Sequence, residues 1–390
     1  MGNTQVTISD SILYVGVEDT EIDLFESQYP VPQGVTYNSY VIADEKVAVM
    51  DTVDARKTEE WLQNLEQVLN GRTPDYLVIS HLEPDHSGSI EAIAGKYPEM
   101  KLVGNAKIFA MLPQFITMDV TDRQVVVTEQ DTLNLGSHIL HFVFAPMVHW
   151  PEVMVEYEET EKVLFSADAF GRFGDSDAET DWDAEARRYY INIVGKYGGP
   201  VTTLLKKAAG LDIRTICPLH GPVLTGDLSH YIEKYQTWAS YRPEEKGILI
   251  AYASIHGNTE IAAKKMASIL EEKGAENVVL YDLARADVAA VVADAFRYDR
   301  MILAAASYDA GVFPCMETFL NHLKAKAYQK RTVGLIENGS WAPSAGRVMK
   351  KALEECKEIE IVEPMVTIKS TLKTENLPQL SALADVILNK

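Results

Sequence analysis

The sequence predicts an α/β protein of more than one domain, the last of them a doubly wound parallel sheet. Three observations carry that expectation. The chain has 390 residues, enough for two or three cores at roughly 100–200 residues per domain. Strands and helices alternate strictly after residue 247. A charged, proline-containing stretch, Arg242-Pro243-Glu244-Glu245-Lys246, stands just before that alternation begins. Apolar residues are 47% and charged residues 24%, the mixture of an ordinary globular chain, so extended disorder is not expected.

In the first part, strands mix with helices. Residues 5–17 hold a short strand signal, and residues 39–51 (SYVIADEKVAVMD) read as two strands around a turn. Residues 55–70 set Trp61, Leu62, Leu65, Val68 and Leu69 on one helical face. Residues 75–80 (DYLVIS) form a buried strand that delivers the chain to His81. Further strands are expected at 101–104, 124–127, 138–148, 162–166 and 214–217. We place the domain boundary between residues 243 and 244, giving domains 1–243 and 244–390. Beyond it, strands at 247–253, 278–282, 301–307, 333–338 and 359–368 alternate with helices at 259–274, 286–297, 315–327 and 344–356, and a helix over 377–389 closes the chain. Five such units make a five-stranded parallel sheet covered on both faces, the flavodoxin-like doubly wound pattern.

Charge and cysteine usage exclude several classes. A net charge of −21 repels phosphate backbones, which argues against a nucleic-acid partner. The three cysteines, Cys217, Cys315 and Cys356, form no CxxC pair. That argues against a disulfide framework and against a built-in rubredoxin or zinc-ribbon module, and for a reducing, cytoplasmic location. The first residues lack the basic and apolar regions of a signal peptide and the Ser/Thr of a myristoylation signal. No apolar run reaches the ~18 residues of a membrane span.

The first strand of the second domain, GILIAYA, runs into Ser254-Ile255-His256-Gly257-Asn258-Thr259, and a helix follows. A turn at the carboxyl end of such a strand offers free backbone N–H groups and a helix dipole to an anion. No Lys or Arg lies in the loop, and neither a Walker pattern nor GxGxxG is present, so a phosphate monoester held by neutral donors fits best. A capped turn of no function would explain this loop alone. Two later strand ends point further: Ser307-Tyr308-Asp309-Ala310-Gly311, and Asn338-Gly339-Ser340-Trp341. Tyr308 and Trp341 offer flat surfaces to a flat ring. The three loops together resemble the flavin mononucleotide (FMN) site of flavodoxins, with His256 standing where those proteins usually carry Thr.

The first domain concentrates metal-ligand residue types at strand ends. His81-Leu82-Glu83-Pro84-Asp85-His86 packs four into six residues; His149, Asp168 and His220 each follow a later strand. One strand-end histidine is more often structural. A set of this size needs partners for its buried charges, and a metal is the natural one. Three carboxylates and four imidazoles suit a hard-to-borderline redox metal such as iron. Asp168, isolated in sequence from the cluster, is the best candidate for a bridge between two ions.

HLEPDHSG resembles the HxHxDH motif of metallo-β-lactamase folds, with Glu83 in place of the second His. In that feature, and in GVTYNSYVI, MVHWPEVM, LFSADAFG, LHGPV and the flavodoxin-like second half, the chain resembles the flavodiiron proteins. The resemblance covers nearly the whole chain. It implies a metallo-β-lactamase-like αββα sandwich followed by the flavodoxin-like domain. It implies one iron held by His81, Glu83 and His149, a second by Asp85 and His220, and Asp168 bridging; His86 either ligates the second iron or gives way to water there. It implies reduction of dioxygen to water, of nitric oxide to nitrous oxide, or both. FMN would relay electrons from an external donor, a rubredoxin-like protein or a reduced deazaflavin. A head-to-tail homodimer, or a dimer of such dimers, is also implied. Glu26 stands where the family often has a His near the metals. The competing readings are a zinc-dependent hydrolase with an accessory flavodoxin domain, which Glu83 argues against, and an electron carrier with a vestigial metal site.

Overall fold

The computed structural model describes residues 8–177 and 181–390. The chain divides into two compact units, one of Met1–Tyr190 with Gly199–Gln236, the other of Ile191–Gly198 with Thr237–Lys390.

Two large sheets, with two two-stranded ones beside them in sequence, make the first unit. One has six strands in the order Ile12–Tyr14, Tyr40–Ala43, Val47–Met50, Tyr76–Val78, Lys101–Asn105 and Gln124–Val127. It is antiparallel over the first three and parallel over the rest. Residues 5–7 of the first expected strand signal lie outside the described residues. The other sheet runs Thr132–Asn134, Ile139–Phe144, Met154–Glu158, Val163–Phe165 and Thr215–Cys217, with only the last pair parallel. The helix Thr58–Leu69 buries Trp61, Leu65 and Leu69 at i, i+4, i+8, with Leu62 and Val68 half-buried beside them.

The strand expected at 138–148 ends at Phe144, because Val148 N–H closes a turn on Ala145 O. Met154–Glu158 was not expected as a strand. Its sequence, MVEYE, carries two charges, yet Glu156 and Glu158 are both fully buried. A buried charge at a core position is the one feature that binary patterning reads the wrong way.

In the second unit the sheet path is Val278–Asp282, Glu245–Ala253, Tyr298–Tyr308, Gln329–Asn338 and Lys357–Ile361, the order 2-1-3-4-5 of a doubly wound fold. The single strand expected at 359–368 is two strands. Lys357–Ile361 pairs with Gln329–Val333 and Val366–Ile368 with Ile336–Asn338. Pro364 lies between them and has no N–H to continue the ladder. A short strand, Gly311–Val312, folds back antiparallel on Tyr298–Tyr308.

The helix Asn258–Glu272 buries Ala262, Ala263, Met266, Ile269 and Leu270 in one cluster with Leu380, Leu383 and Ile387 of Leu377–Leu388. Each fully buried Leu or Ile contributes about 1.5–3 kcal/mol. That packing holds the N-terminus of Asn258–Glu272, and so the loop before it, in place. Among the described residues no helix is long and apolar enough to cross a membrane.

Candidate functional sites

Seven ligand-type side chains from four strand ends converge in the first unit. His81, Glu83, Asp85 and His86 follow Tyr76–Val78; Pro84 opens a single helical turn, Pro84–Ser87, that buries Asp85 and His86. His149 comes from the turn after Ile139–Phe144, Asp168 from the turn after Val163–Phe165, and His220 from the loop after Thr215–Cys217. Three overlapping sets have ligand atoms within 4.8 Å of one another: Asp85, His86 and His220; His81, Glu83 and Asp85; Glu83, His149 and Asp168.

Asp168 stands between two halves of this cluster. Its Oδ2 lies 3.3 Å from His81 Nε2 and 3.2 Å from His149 Nε2. Its Oδ1 lies 3.8 Å from His86 Nε2 and 3.9 Å from His220 Nε2. Glu83 Oε2 joins the first half, 2.8 Å from His149 Nε2; Asp85 Oδ2 joins the second, 3.3 Å from His220 Nε2. Close packing keeps the halves together: a Cβ on Gly171 would meet Asp168 O at 3.1 Å and His220 Cβ at 3.3 Å.

The neighbours orient these groups. His220 Nδ1 donates to Thr36 O at 2.6 Å, which turns its Nε2 toward the cluster, 3.1 Å from His86 Nε2. The Thr52 hydroxyl donates to His86 O at 2.5 Å. Phe25, Tyr37 and Tyr189 pack against His220 with ring centroids 5.4–6.2 Å away, an apolar wall on that side.

The electrostatics fit a cation. Both carboxylate oxygens of Asp85 and Asp168, with His81 Nε2 and His149 Nε2, are buried and have no hydrogen-bond partner among the described residues. Isolated buried carboxylates cost several kcal/mol each unless paired or coordinated. Burial raises the Asp168 carboxyl, but His81 and His149 more than reverse this and hold it well below the carboxylate range. Burial opposes charge on His149, yet Asp168 and Glu83 override it and push that imidazole up to about 10. Burial, reinforced by His220, drives His86 well below the ordinary imidazole range. Around Asp168 and Glu83 the cluster thus sets carboxylates against the His81 and His149 rings, whose extra protons bound metal ions would replace. Cys217 is outside the three ligand sets, buried in the sheet with its thiol pushed up by desolvation.

Sequence reasoning missed what lies behind His81. Ser80 N–H donates to Asp51 Oδ1 at 2.7 Å, and the Ser80 hydroxyl sits between Asp51 Oδ2 at 2.5 Å and Glu156 Oε2 at 3.1 Å. Burial pushes Asp51 up to about 6 and, reinforced by Asp51, raises Glu156 well above the ordinary carboxylate range. Asp51 was visible as a strand end; Glu156 was hidden in the unrecognised strand. Glu26 belongs to the electrostatic surroundings of the cluster: burial raises its carboxyl, and Glu83 adds to the effect.

The second unit holds a cavity of about 750 Å³ at the carboxyl edge of its sheet. Of the residues singled out there, Ser254, Ile255, His256, Asn258, Thr259, Ser307, Tyr308, Asp309, Asn338, Gly339, Ser340 and Trp341 line it. Gly257 and Gly311 do not; they shape the loops. Gly257 has φ +89°, which L side chains rarely adopt, and its N–H donates to Ser254 Oγ at 3.1 Å. Gly311 O accepts from Ser344 Oγ at 2.7 Å, while Ser307 Oγ accepts the N–H groups of Ser344 and Ala345. Arg347 and Ser370 line the cavity and were not foreseen. Ser370 exchanges two backbone contacts of 2.9 Å with the Asn338 amide, and Asn258 Nδ2 donates to its hydroxyl at 3.3 Å. A fifth strand ending at the same edge was the available signal for it. The cavity suits a ligand with a phosphate at one end and a flat ring at the other.

A family model described as ODP family beta lactamase matches residues 35–221. The chain is 30% identical over 384 residues to a nitric oxide reductase of Moorella thermoacetica, covering 95% of each. The rubredoxin oxygen:oxidoreductase of Desulfovibrio gigas superposes with a TM-score of 0.90 at 26% identity, over 99% of this chain and 98% of that one. A flavodiiron protein of Giardia intestinalis superposes with a TM-score of 0.92 at 23% identity, over 99% and 96%, a likeness of fold.

Proposed function

The chain belongs to the flavodiiron protein family, and on that premise we propose that it reduces dioxygen to water, nitric oxide to nitrous oxide, or both, at a di-iron centre supplied with electrons through FMN. The observation that carries this reading is the division of Asp168, one oxygen toward each half of a buried ligand cluster. We assign one iron to His81, Glu83 and His149 and the other to Asp85 and His220, with His86 in reach of the second and Asp168 bridging. Iron supplies redox equivalents and open coordination positions for a diatomic gas, and FMN stores incoming electrons.

The protein's own part follows from the geometry. Thr36 fixes the tautomer of His220. Phe25, Tyr37 and Tyr189 shield His220 from water on their side, and burial keeps Tyr37 and Tyr189 protonated. In the cavity of the second unit, the neutral donors of the Ser254–Thr259 loop would hold the phosphate, and Tyr308 and Trp341 would flank the ring.

We take the external donor to be a small rubredoxin-like protein or a reduced deazaflavin; the name of the Desulfovibrio gigas relative supports the former. A head-to-tail homodimer, alone or paired into a tetramer, is our reading of the assembly. A cytoplasmic location is our reading of its compartment, supported by three free cysteines. The metal domain is read as residues 1–243 and the FMN domain as 244–390, a division that the change of compact unit at Thr237 supports.

The test is anaerobic. The iron- and FMN-loaded protein is fully reduced, given excess electrons, and offered dioxygen or nitric oxide. Fast dioxygen loss without peroxide, or nitric oxide loss with nitrous oxide formed, is the expected result. Turnover of neither gas, with zinc retained at the cluster, would return the zinc-hydrolase reading.

A further inference from the structure

Glu152 is 1% exposed and lies three residues beyond His149. Its Oε1 accepts Leu82 N–H at 3.0 Å, and its backbone carbonyl accepts Asn105 Nδ2–H at 2.7 Å. Asn105 is itself fixed, because its Oδ1 caps the helix Ala106–Met111 through the N–H groups of Lys107 and Ile108. Two residues on, Met154 N–H donates to Ser80 O at 3.0 Å. The segment after His149 is therefore pinned at two points to the segment that carries His81 and Glu83. Those three residues are one half of the cluster. The other half is held differently: His220 by Thr36 O and His86 by Thr52.

The second oxygen of Glu152 is informative. Glu152 Oε2 is buried and has no hydrogen-bond partner among the described residues, and the same holds for Nδ1 of His81, next in sequence to the Leu82 that Glu152 grips. A neutral amide acceptor would bond Leu82 N–H without the desolvation cost of a buried carboxylate. A negative charge here is understandable if it also favours a cation next to the loops it joins.

We propose that Glu152 is a positioning residue for the His81–Glu83–His149 metal position. Its carboxylate sets the register of the His149 segment against the His81–Glu83 segment and adds attraction for the ion there, leaving the Asp85–His220 position untouched. This rests on the two-metal reading above. Groups one layer outside the ligands typically change metal affinity 10–100-fold.

The experiment titrates metal-free, FMN-loaded full-length protein anaerobically with Fe(II) by calorimetry and with Co(II) by its visible spectrum. It compares wild type, Glu152→Gln and Glu152→Ala, with FMN content and Tm as controls for folding. Wild type is expected to show two binding events. Glu152→Ala should weaken one of them by about 10–100-fold and change one Co(II) band pattern, with the other event unaltered. Glu152→Gln, which keeps an acceptor for Leu82 N–H, should recover part of the loss. Two unaltered events in Glu152→Ala, or both weakened alike, would overturn the proposal. Should Glu152→Ala fail to fold, Glu152→Gln decides by the same criterion: one weakened event supports the proposal, and none or both overturns it. Failure of wild type to bind two metals would instead overturn the two-metal reading itself.

Discussion

The two candidate sites are built on opposite principles. In the first unit, seven ionisable side chains are sunk into the protein, and most of their reactive atoms have no protein hydrogen-bond partner among the described residues. In the second, a cavity of about 750 Å³ is lined largely by hydroxyls, amides and backbone, with Trp341 93% and Tyr308 45% exposed at its mouth. The charge of the chain divides the same way. The second unit has 20 basic and 20 acidic residues, so the whole net charge of −21 falls on the first. A site made of buried charge concentrates its dependence in single residues, because each removal leaves a neighbour uncompensated. A site made of neutral donors spreads the dependence, because each bond is worth about 1 kcal/mol net.

The largest effect that this contrast predicts is at Asp168. Asp168→Ala should empty both metal positions and cut gas turnover by more than about 100-fold, beyond the range of residues one layer outside the ligands, with FMN content unchanged. Iron analysis and gas-electrode rates check it; retention of both metals would break the contrast.

A smaller effect asks whether buried charge in the first unit is costly only where a cation is awaited. His138, 5% exposed, sits between Asp44 Oδ2 at 2.9 Å and Glu161 Oε1 at 3.1 Å, so its charge is compensated within the protein. Burial opposes charge on His138, but Asp44 and Glu161 outweigh it and raise its pKa; against burial, His138 lowers the Asp44 carboxyl, and the Ser11 and Ser9 hydroxyls, followed by His138, lower that of Glu161. The stabilisation from a raised histidine is complete below about pH 6.5 and is lost as pH climbs through its folded value. The carboxylate share is present above about pH 4 and is lost as pH falls. His138→Ala should therefore cost about 1.5–3 kcal/mol between those limits, and less at pH 9. Denaturant melts of wild type and variant across that range measure it; a pH-independent difference would contradict the assignment.

The smallest effect belongs to the second unit. Trp341→Ala should weaken FMN binding by about 0.5–1.5 kcal/mol beyond lost contact area, a few-fold to tenfold, without altering iron content. Fluorescence titration of the FMN-free protein reads it. A loss as large as that at Asp168 would mean that the flavin site, too, depends on single residues.

The same contrast explains what the sequence made legible. The candidate metal residues announced themselves by type, since His81, Glu83, Asp85 and His86 within six positions have few other uses. The cavity residues are commonplace types, and they became legible only through topology, as loops at the carboxyl ends of successive strands. Reading failed where a residue contradicts its surroundings. Glu156 and Glu158 hid a core strand because charge is expected outside, and Pro364 split a strand that looked continuous. Ser370 and Arg347 were missed for another reason: the first follows that split strand, and the second lies in the helix Ala345–Glu354, beyond the loop taken as the site.

The most direct test of the division of labour is His149→Ala in the iron- and FMN-loaded protein, with flavin reduction and gas consumption followed in the same anaerobic stopped-flow experiment. Flavin reduction at the wild-type rate with gas consumption abolished is the predicted result. Gas consumption that survives with the flavin still turning over would show that the metal cluster is not where the gas is reduced.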